Sequence, residues 1–97
     1  MPNFSNPFTG NIGNKKLSEQ ELFRAIRFTI AAEYEAVQLY EQIAETTDNQ
    51  AAKLVLKSIA REEKVHAGEL LELLCNICPD EAKAYTEGQK EVESLKV

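Results

Sequence analysis

The chain has 97 residues, of which 43% are hydrophobic and 28% are charged, and its formal net charge is −5 at pH 7. This length suits one soluble globular domain, and an acidic chain disfavours nucleic acid as a partner and favours cations. No apolar run approaches the roughly 20 residues of a membrane span, and no basic-then-apolar signal peptide opens the chain, so a cytoplasmic location is expected.

Residues 1–16 are rich in Asn, Gly, Pro and Lys, a composition typical of a flexible N-terminal arm. Two aromatic residues in it, Phe4 and Phe8, could dock on a neighbouring subunit, although a mobile tail is the commoner meaning of such a segment. The folded, all-α domain is expected to span residues 17–97.

The first helix is predicted to begin after Ser18, because Ser18 and Glu21 have the spacing of a capping box and Leu17 and Leu22 that of a hydrophobic staple. It should end near Thr46. Positions spaced by three and four form one stripe along it: Leu22, Ile26, Ile30, Glu33, Val37, Tyr40 and Ala44. One carboxylate therefore interrupts an otherwise apolar stripe.

Residues 47–50 make a short connection to a second helix, with either a Thr47–Gln50 capping box or Asp48 as the cap. So short a connection makes the two helices antiparallel neighbours. The second helix should end at residues 75–78, where Pro79 ends it or begins the next one. Residues 80–95 are helix-prone but mostly polar.

The second helix also has polar residues on its apolar stripe, which we predict to comprise Ala52, Val55, Ile59, Glu63, His66, Leu70, Leu74 and Ile77. Glu63 and His66 are three residues apart and share one face of the helix. Burying a charge without a partner is costly, and a metal ion would satisfy both groups. Glu-x-x-His on bundle helices is half of the ligand motif of carboxylate-bridged di-iron proteins.

Glu33 of the first helix lies at the same distance from the turn as Glu63 and His66 of the second. Glu33 precedes the connection by about 14 residues, and Glu63 and His66 follow it by about the same number, so all three lie roughly 20 Å from the turn. Two carboxylates and one imidazole suit iron or manganese, with zinc also possible. One hairpin supplies half of a di-iron ligand set, so we infer an obligatory dimer with the metals on its two-fold axis.

The sequence also allows other interpretations of these residues. Glu63 and His66 are also spaced as an ordinary surface pair, an interpretation that Glu33 at matching depth weakens. Glu62 competes with Glu63, since Glu62 and His66 are four apart. The stripe favours Glu63.

Four further residues carry weaker signals. Tyr40 shares the face of the first helix with the candidate carboxylate and is a core aromatic or a group near the metal. Glu35 is expected on the surface, with a secondary cation-binding role as the alternative. Cys75 and Cys78 lie at a helix C-terminus, where we favour half-buried free thiols over a redox or metal-binding pair.

Two segments resemble the encapsulated ferritins, the cargo of encapsulin nanocompartments. They are Glu-Tyr-Glu-Ala-Val-Gln-Leu-Tyr at residues 33–40 and Glu-Glu-Lys-Val-His at residues 62–66, and the resemblance covers residues 17–85. It implies a two-helix protomer with a short third helix, a ferritin-like four-helix bundle completed by dimerisation, and a ring of five dimers.

The resemblance also implies residue roles. Glu33, Glu63 and His66 match the metal ligands of a di-iron ferroxidase centre, Tyr40 matches a tyrosine beside it, and Glu35 matches one residue of an outer metal site. Two positions depart from the family pattern, Ala32 in place of a second outer-site glutamate and Leu39 in place of a tryptophan. The family's usual shell-targeting peptide is absent, so we expect a trimmed chain, or one fused in front of a shell protein with residues 86–97 as a connector.

The function expected from this resemblance is a ferroxidase that oxidises Fe(II) to Fe(III) for storage inside an encapsulin shell. A rubrerythrin-like peroxidase with the same centre is the alternative enzyme. A non-catalytic helical assembly module, metal-free or stabilised by zinc, is the alternative from a different class.

Overall fold

Three α-helices make up the part of the chain that the computed structural model describes, residues 16–96. They are α1 (Glu19–Thr46), α2 (Gln50–Ile77) and α3 (Pro79–Ser94), and this part contains no strand. The predicted all-α fold is confirmed. The predictions for the N-terminal arm, including Phe4 and Phe8, fall almost wholly outside the described residues.

The start of α1 is fixed by the capping box that the sequence predicts. The Ser18 side chain accepts a hydrogen bond from the backbone N–H of Glu21 at 3.1 Å, and the Glu21 carboxylate accepts one from the Ser18 N–H at 2.9 Å. Two of the unpaired N–H groups at the helix start are thereby satisfied. The helix ends at Thr46, as expected.

The start of α2 differs from the prediction. Asn49 is the N-cap, and its side-chain oxygen accepts a hydrogen bond from the Ala52 N–H at 2.9 Å. The predictions of Thr47 or Asp48 as the cap are therefore wrong. Asn49 directly precedes the first helical residue, the position from which a short polar side chain reaches the N–H three residues on. The Thr47 hydroxyl accepts from the Asn49 N–H at 3.2 Å and so braces the turn instead.

The antiparallel hairpin of α1 and α2 has its main apolar cluster at the end away from the turn. Phe23, Ile26 and Ile30 of α1 pack there on Leu74, which is fully enclosed. Phe23, and not the predicted Leu22, occupies the core position. Phe23 lies three positions before Ile26, so the same three-and-four spacing passes through Phe23.

Small residues mark the closest line of α2 against α1. The buried residues of α2 are Ala60, Ala67 and Leu74, seven apart. The predicted stripe shares Leu74 with this line, but it misses both alanines and includes Val55, which is 56% exposed in the single chain. Val55 was therefore placed wrongly, because alanines let the two helices approach closely and so define the contact line.

The third helix projects from the hairpin. The single residue Cys78 follows the end of α2, and α3 then begins at Pro79 and continues through Gly88 to Ser94. The described part is flat, with extents of 48 by 46 by 19 Å, so the three helices do not close into a bundle. Within residues 16–96, no helix combines the length and the apolar character needed to cross a membrane.

The corrected cap of α2 can be tested with neighbouring variants. Asn49→Ala should lower the free energy of unfolding by about 1 kcal/mol, because it leaves the Ala52 N–H without its partner. Asp48→Ala, one residue away and exposed, should leave it nearly unchanged. Urea unfolding at one fixed protein concentration measures both. Equal losses in the two variants would contradict Asn49 as the cap.

Candidate metal centre

Glu33, Glu63 and His66 come together between α1 and α2. One potential ligand atom from each lies within 4.8 Å of the other two. His66 Nδ1 is 3.6 Å from Glu33 Oε2 and 3.8 Å from Glu63 Oε2. Both distances are longer than a hydrogen bond, so the groups face one another without satisfying one another. No other group of three such residues occurs within residues 16–96.

Apolar neighbours one turn away hold the two carboxylates at the helix interface. Glu33 lies between Ile30 and Val37 on α1, both buried, and Glu63 lies between Ala60 and Ala67 on α2, also both buried. The side chains of the two glutamates are only 23% and 20% exposed. His66 sits at the edge of this interface with its side chain 48% exposed.

The electrostatics of the cluster show a surplus of negative charge. The pKa of Glu33 is raised above its ordinary value. The first cause is the facing Glu63 carboxyl, to which only the protonated form of Glu33 could donate a hydrogen bond. Burial and the negative charge of Glu63 also raise the pKa, and His66 lowers it. A cation between the carboxylates would remove this penalty.

A metal ion fits the residues that are present. Within residues 16–96, Glu33 Oε2 is the one enclosed side-chain oxygen or nitrogen that has no hydrogen-bond partner. Such an atom is costly to bury unless a partner comes from outside the chain. Carboxylate oxygens with an imidazole nitrogen form the donor set of non-haem iron and manganese sites. Glu33, Glu63 and His66 would hold the ion.

The other candidate residues lie around this cluster. Glu62 is exposed and stays outside it, so the structure brings Glu63 beside Glu33 and His66. Tyr40 is half-buried, and Glu35 is exposed. These two border a shallow groove on α1 of about 360 Å³ and do not join the three-residue cluster.

The cysteines lie at the far end of α2, away from the cluster. Cys75 and Cys78 are both half-buried free thiols. Cys75 lies in the last turn of α2, and Cys78 is the residue between α2 and α3. Nothing in their placement brings them to the candidate metal ligands.

One polar cluster was missed by the sequence reasoning. Arg27 of α1 binds Glu81 of α3, and Tyr85 donates to the same carboxylate. Only the spacing of Glu81 and Tyr85, four residues apart on one helix, was visible as a signal. Their partner is 54 positions from Glu81 in the chain, and no local pattern identifies it.

Comparisons with known proteins agree on one group of related proteins. Residues 24–96 match the profile of the Rubrerythrin family. The chain is 37% identical over 82 residues to a ferritin-like–encapsulin shell fusion protein of Pyrococcus furiosus and 37% identical over 78 residues to an encapsulin nanocompartment cargo protein of Myxococcus xanthus. These matches cover 84% and 80% of the chain, but only 24% and 59% of the respective relatives.

A solved structure agrees with the sequence matches. The crystal structure of the encapsulated ferritin domain from Pyrococcus furiosus has a TM-score of 0.82 to this chain at 36% identity, and the match covers 87% of this chain and 86% of that one. The similarity therefore extends over nearly the whole domain in fold and in sequence. The chain belongs to the encapsulated ferritins, within the ferritin-like proteins of the Rubrerythrin family.

Proposed function

We propose that this chain is a ferroxidase, which oxidises Fe(II) to Fe(III) at a di-iron centre formed between two copies of the chain. The observation that carries the proposal is the convergence of Glu33, Glu63 and His66 around a carboxylate oxygen without a partner. The family membership supports the same chemistry, since Glu-x-x-His on bundle helices is the ligand motif of di-iron carboxylate proteins.

The residues of the chain have separate parts in this reaction. Iron bound there gives up one electron per ion to dioxygen. Glu33 and Glu63 place negative charge around the cation, which favours the higher-charged Fe(III) over Fe(II). His66 adds a nitrogen donor at the open edge of the cluster. The low exposure of the two carboxylates limits the water that would screen their charge.

A second copy of the chain is required because one hairpin supplies one Glu and one Glu-x-x-His. The face of α2 around His66 supports such a dimer. Val55 and Leu73 precede and follow His66 by 11 and 7 residues, about three and two turns, so they lie on its side of the helix. Both are large apolar side chains left exposed in the single chain. We propose that this face pairs across a two-fold axis, and that five dimers form a ring.

An encapsulin shell is the proposed partner and location. The names of the two relatives describe a shell fusion protein and a nanocompartment cargo protein. A shell would hold the Fe(III) mineral, for which the narrow hairpin itself has no room. We propose that this chain delivers oxidised iron inside such a compartment.

A peroxidase with the same centre is the second candidate, favoured by the match to the Rubrerythrin family profile. Initial rates of Fe(II) oxidation with dioxygen and with hydrogen peroxide distinguish the two enzymes. A chain that oxidises Fe(II) with neither oxidant would instead be a non-catalytic assembly module.

The choice between adjacent glutamates tests the site. Glu63→Ala should abolish rapid Fe(II) oxidation, a loss beyond the roughly 10- to 100-fold caused by removing a residue that only supports a metal ligand. Glu62→Ala should lose at most a surface interaction, worth under about 1 kcal/mol, and keep most of the activity. The initial rate under air measures both, with circular dichroism as the folding control. The proposed ligand set would be refuted if folded Glu62→Ala lost Fe(II) oxidation while folded Glu63→Ala kept it.

The shared site can be tested on the exposed apolar face. Val55→Lys should weaken the dimer and lower the Fe(II) oxidation rate in parallel at low protein concentration, with recovery at high concentration by mass action. Leu54→Lys is the matched control, because Leu54 is more exposed, at 72%, and lies about 100° from Val55 around the helix. Sedimentation velocity and initial rates over one dilution series give both quantities. A monomer with full activity would rule out the shared site.

The cysteines offer a negative test of the same centre. Cys75→Ser combined with Cys78→Ser should leave the Fe(II) oxidation rate nearly unchanged, because both positions lie about three turns along the helix from His66. The rate under air, compared with that of the unmodified chain, checks this. A loss of more than about tenfold, the size of an effect on a metal's supporting residues, would show that the thiols take part.

A further inference from the structure

The orientation of α3 is not fixed by close packing on α1. Within residues 16–96, no Cα atom of α3 lies within 8 Å of a Cα atom of α1, and no residue of α3 is buried. A single residue, Cys78, joins α3 to α2. A helix attached in this way is free to swing unless polar contacts stop it.

One polar cluster does connect α3 to α1. The Arg27 guanidinium donates two hydrogen bonds to Glu81, from Nη2 to Oε1 at 2.7 Å and from Nε to Oε2 at 2.8 Å. The Tyr85 hydroxyl donates to the same Oε2. Two parallel bonds from a planar guanidinium fix direction as well as distance, which a single ion contact does not.

The charge state of this cluster is stable. Hydrogen bonding from Arg27 and then from Tyr85 lowers the pKa of Glu81 to about 2. Burial and the hydrogen bond to Glu81 raise the pKa of Tyr85 to about 12. Because the folded pKa of Glu81 is depressed, its contribution is present above its unfolded value and is lost only as the pH falls through about 2. The contact therefore persists at neutral pH.

We propose that Arg27, Glu81 and Tyr85 form a latch that holds α3 at one angle to the α1–α2 hairpin, so that the C-terminal half of α3 projects as a rigid arm. The latch keeps open a cleft of about 850 Å³ between α3 and the hairpin, bordered by Tyr34 and Leu71 among others. The Glu81 side chain is only 14% exposed, so the bonds from Arg27 are shielded from the water that weakens ion pairs on the open surface. This inference is independent of the proposed iron chemistry.

Distance measurement between spin labels tests the latch. Labels at Gln42→Cys on α1 and Lys90→Cys on α3, both exposed positions, would be placed in a chain whose two native cysteines are changed to serine. Labelled chains are diluted with unlabelled ones, so that each measured distance lies within one protomer. We expect one narrow distance distribution with the latch intact, and a broad one, without the single peak, in Arg27→Gln and in Glu81→Gln.

The control removes the same charge beside the latch. Asp80→Asn lies in the same first turn of α3 as Glu81 and is exposed. It should keep the narrow distribution, and exchanging the charges in Arg27→Glu with Glu81→Arg should restore it. Distributions that stay narrow in both single latch variants, equal broadening in Asp80→Asn, or no recovery in the exchanged pair would each overturn the proposal. Circular dichroism confirms that every variant is folded.

Discussion

Two carboxylates held together between α1 and α2 are the constraint around which this hairpin is built. Each lies on the inward side of its helix, where an apolar residue would stabilise the fold without electrostatic cost. The raised pKa of Glu33, caused first by the neighbouring Glu63 carboxyl and then by burial, reflects that cost. Like charges in such proximity repel unless a proton or a cation lies between them. A positive charge between the two carboxylates would relieve this repulsion.

The rest of the hairpin resists the separation of these carboxylates. On one side of the cluster, Phe23, Ile26 and Ile30 pack around Leu74. On the other side, the backbone carbonyl of a buried alanine, Ala44, accepts a hydrogen bond from Lys53 of α2 at 2.9 Å, close to the turn. With the helices fixed at both ends, the like charges cannot relax by moving apart. The same arrangement of strained polar groups supported by apolar packing is common at functional sites.

The sequence predicts the elements of this fold whose causes are local. The capping box of α1 and the break at Pro79 each depend on a few neighbouring residues, and both predictions are confirmed. The matching depth of the carboxylates follows from helix rise and a short turn. The core-facing residues of α1 were harder to predict, because Phe23 and Leu22 are both large apolar residues and only their packing partners distinguish them.

Failures of prediction arise where a partner distant in sequence decides the outcome. Two alanines, Ala60 and Ala67, define the contact line of α2, yet alanine carries little weight in a search for large apolar stripes. The contact between α3 and α1 joins Arg27 and Glu81, which are 54 residues apart. At the turn, three polar residues in succession all suited an N-cap, and only the backbone path selected Asn49.

In the proposed dimer, metal binding and association are parts of one equilibrium. A cation held by residues from two chains binds the dimer better than the monomer, so it must favour the dimer by the same factor by which dimerisation raises its affinity. In that dimer, His66, which is half-exposed on an apolar face, would couple the two events. Association would cover that face and bring the second set of ligands in the same step. A single hairpin offers a cation only three donors, so a shared site would reach its full strength only when two copies meet.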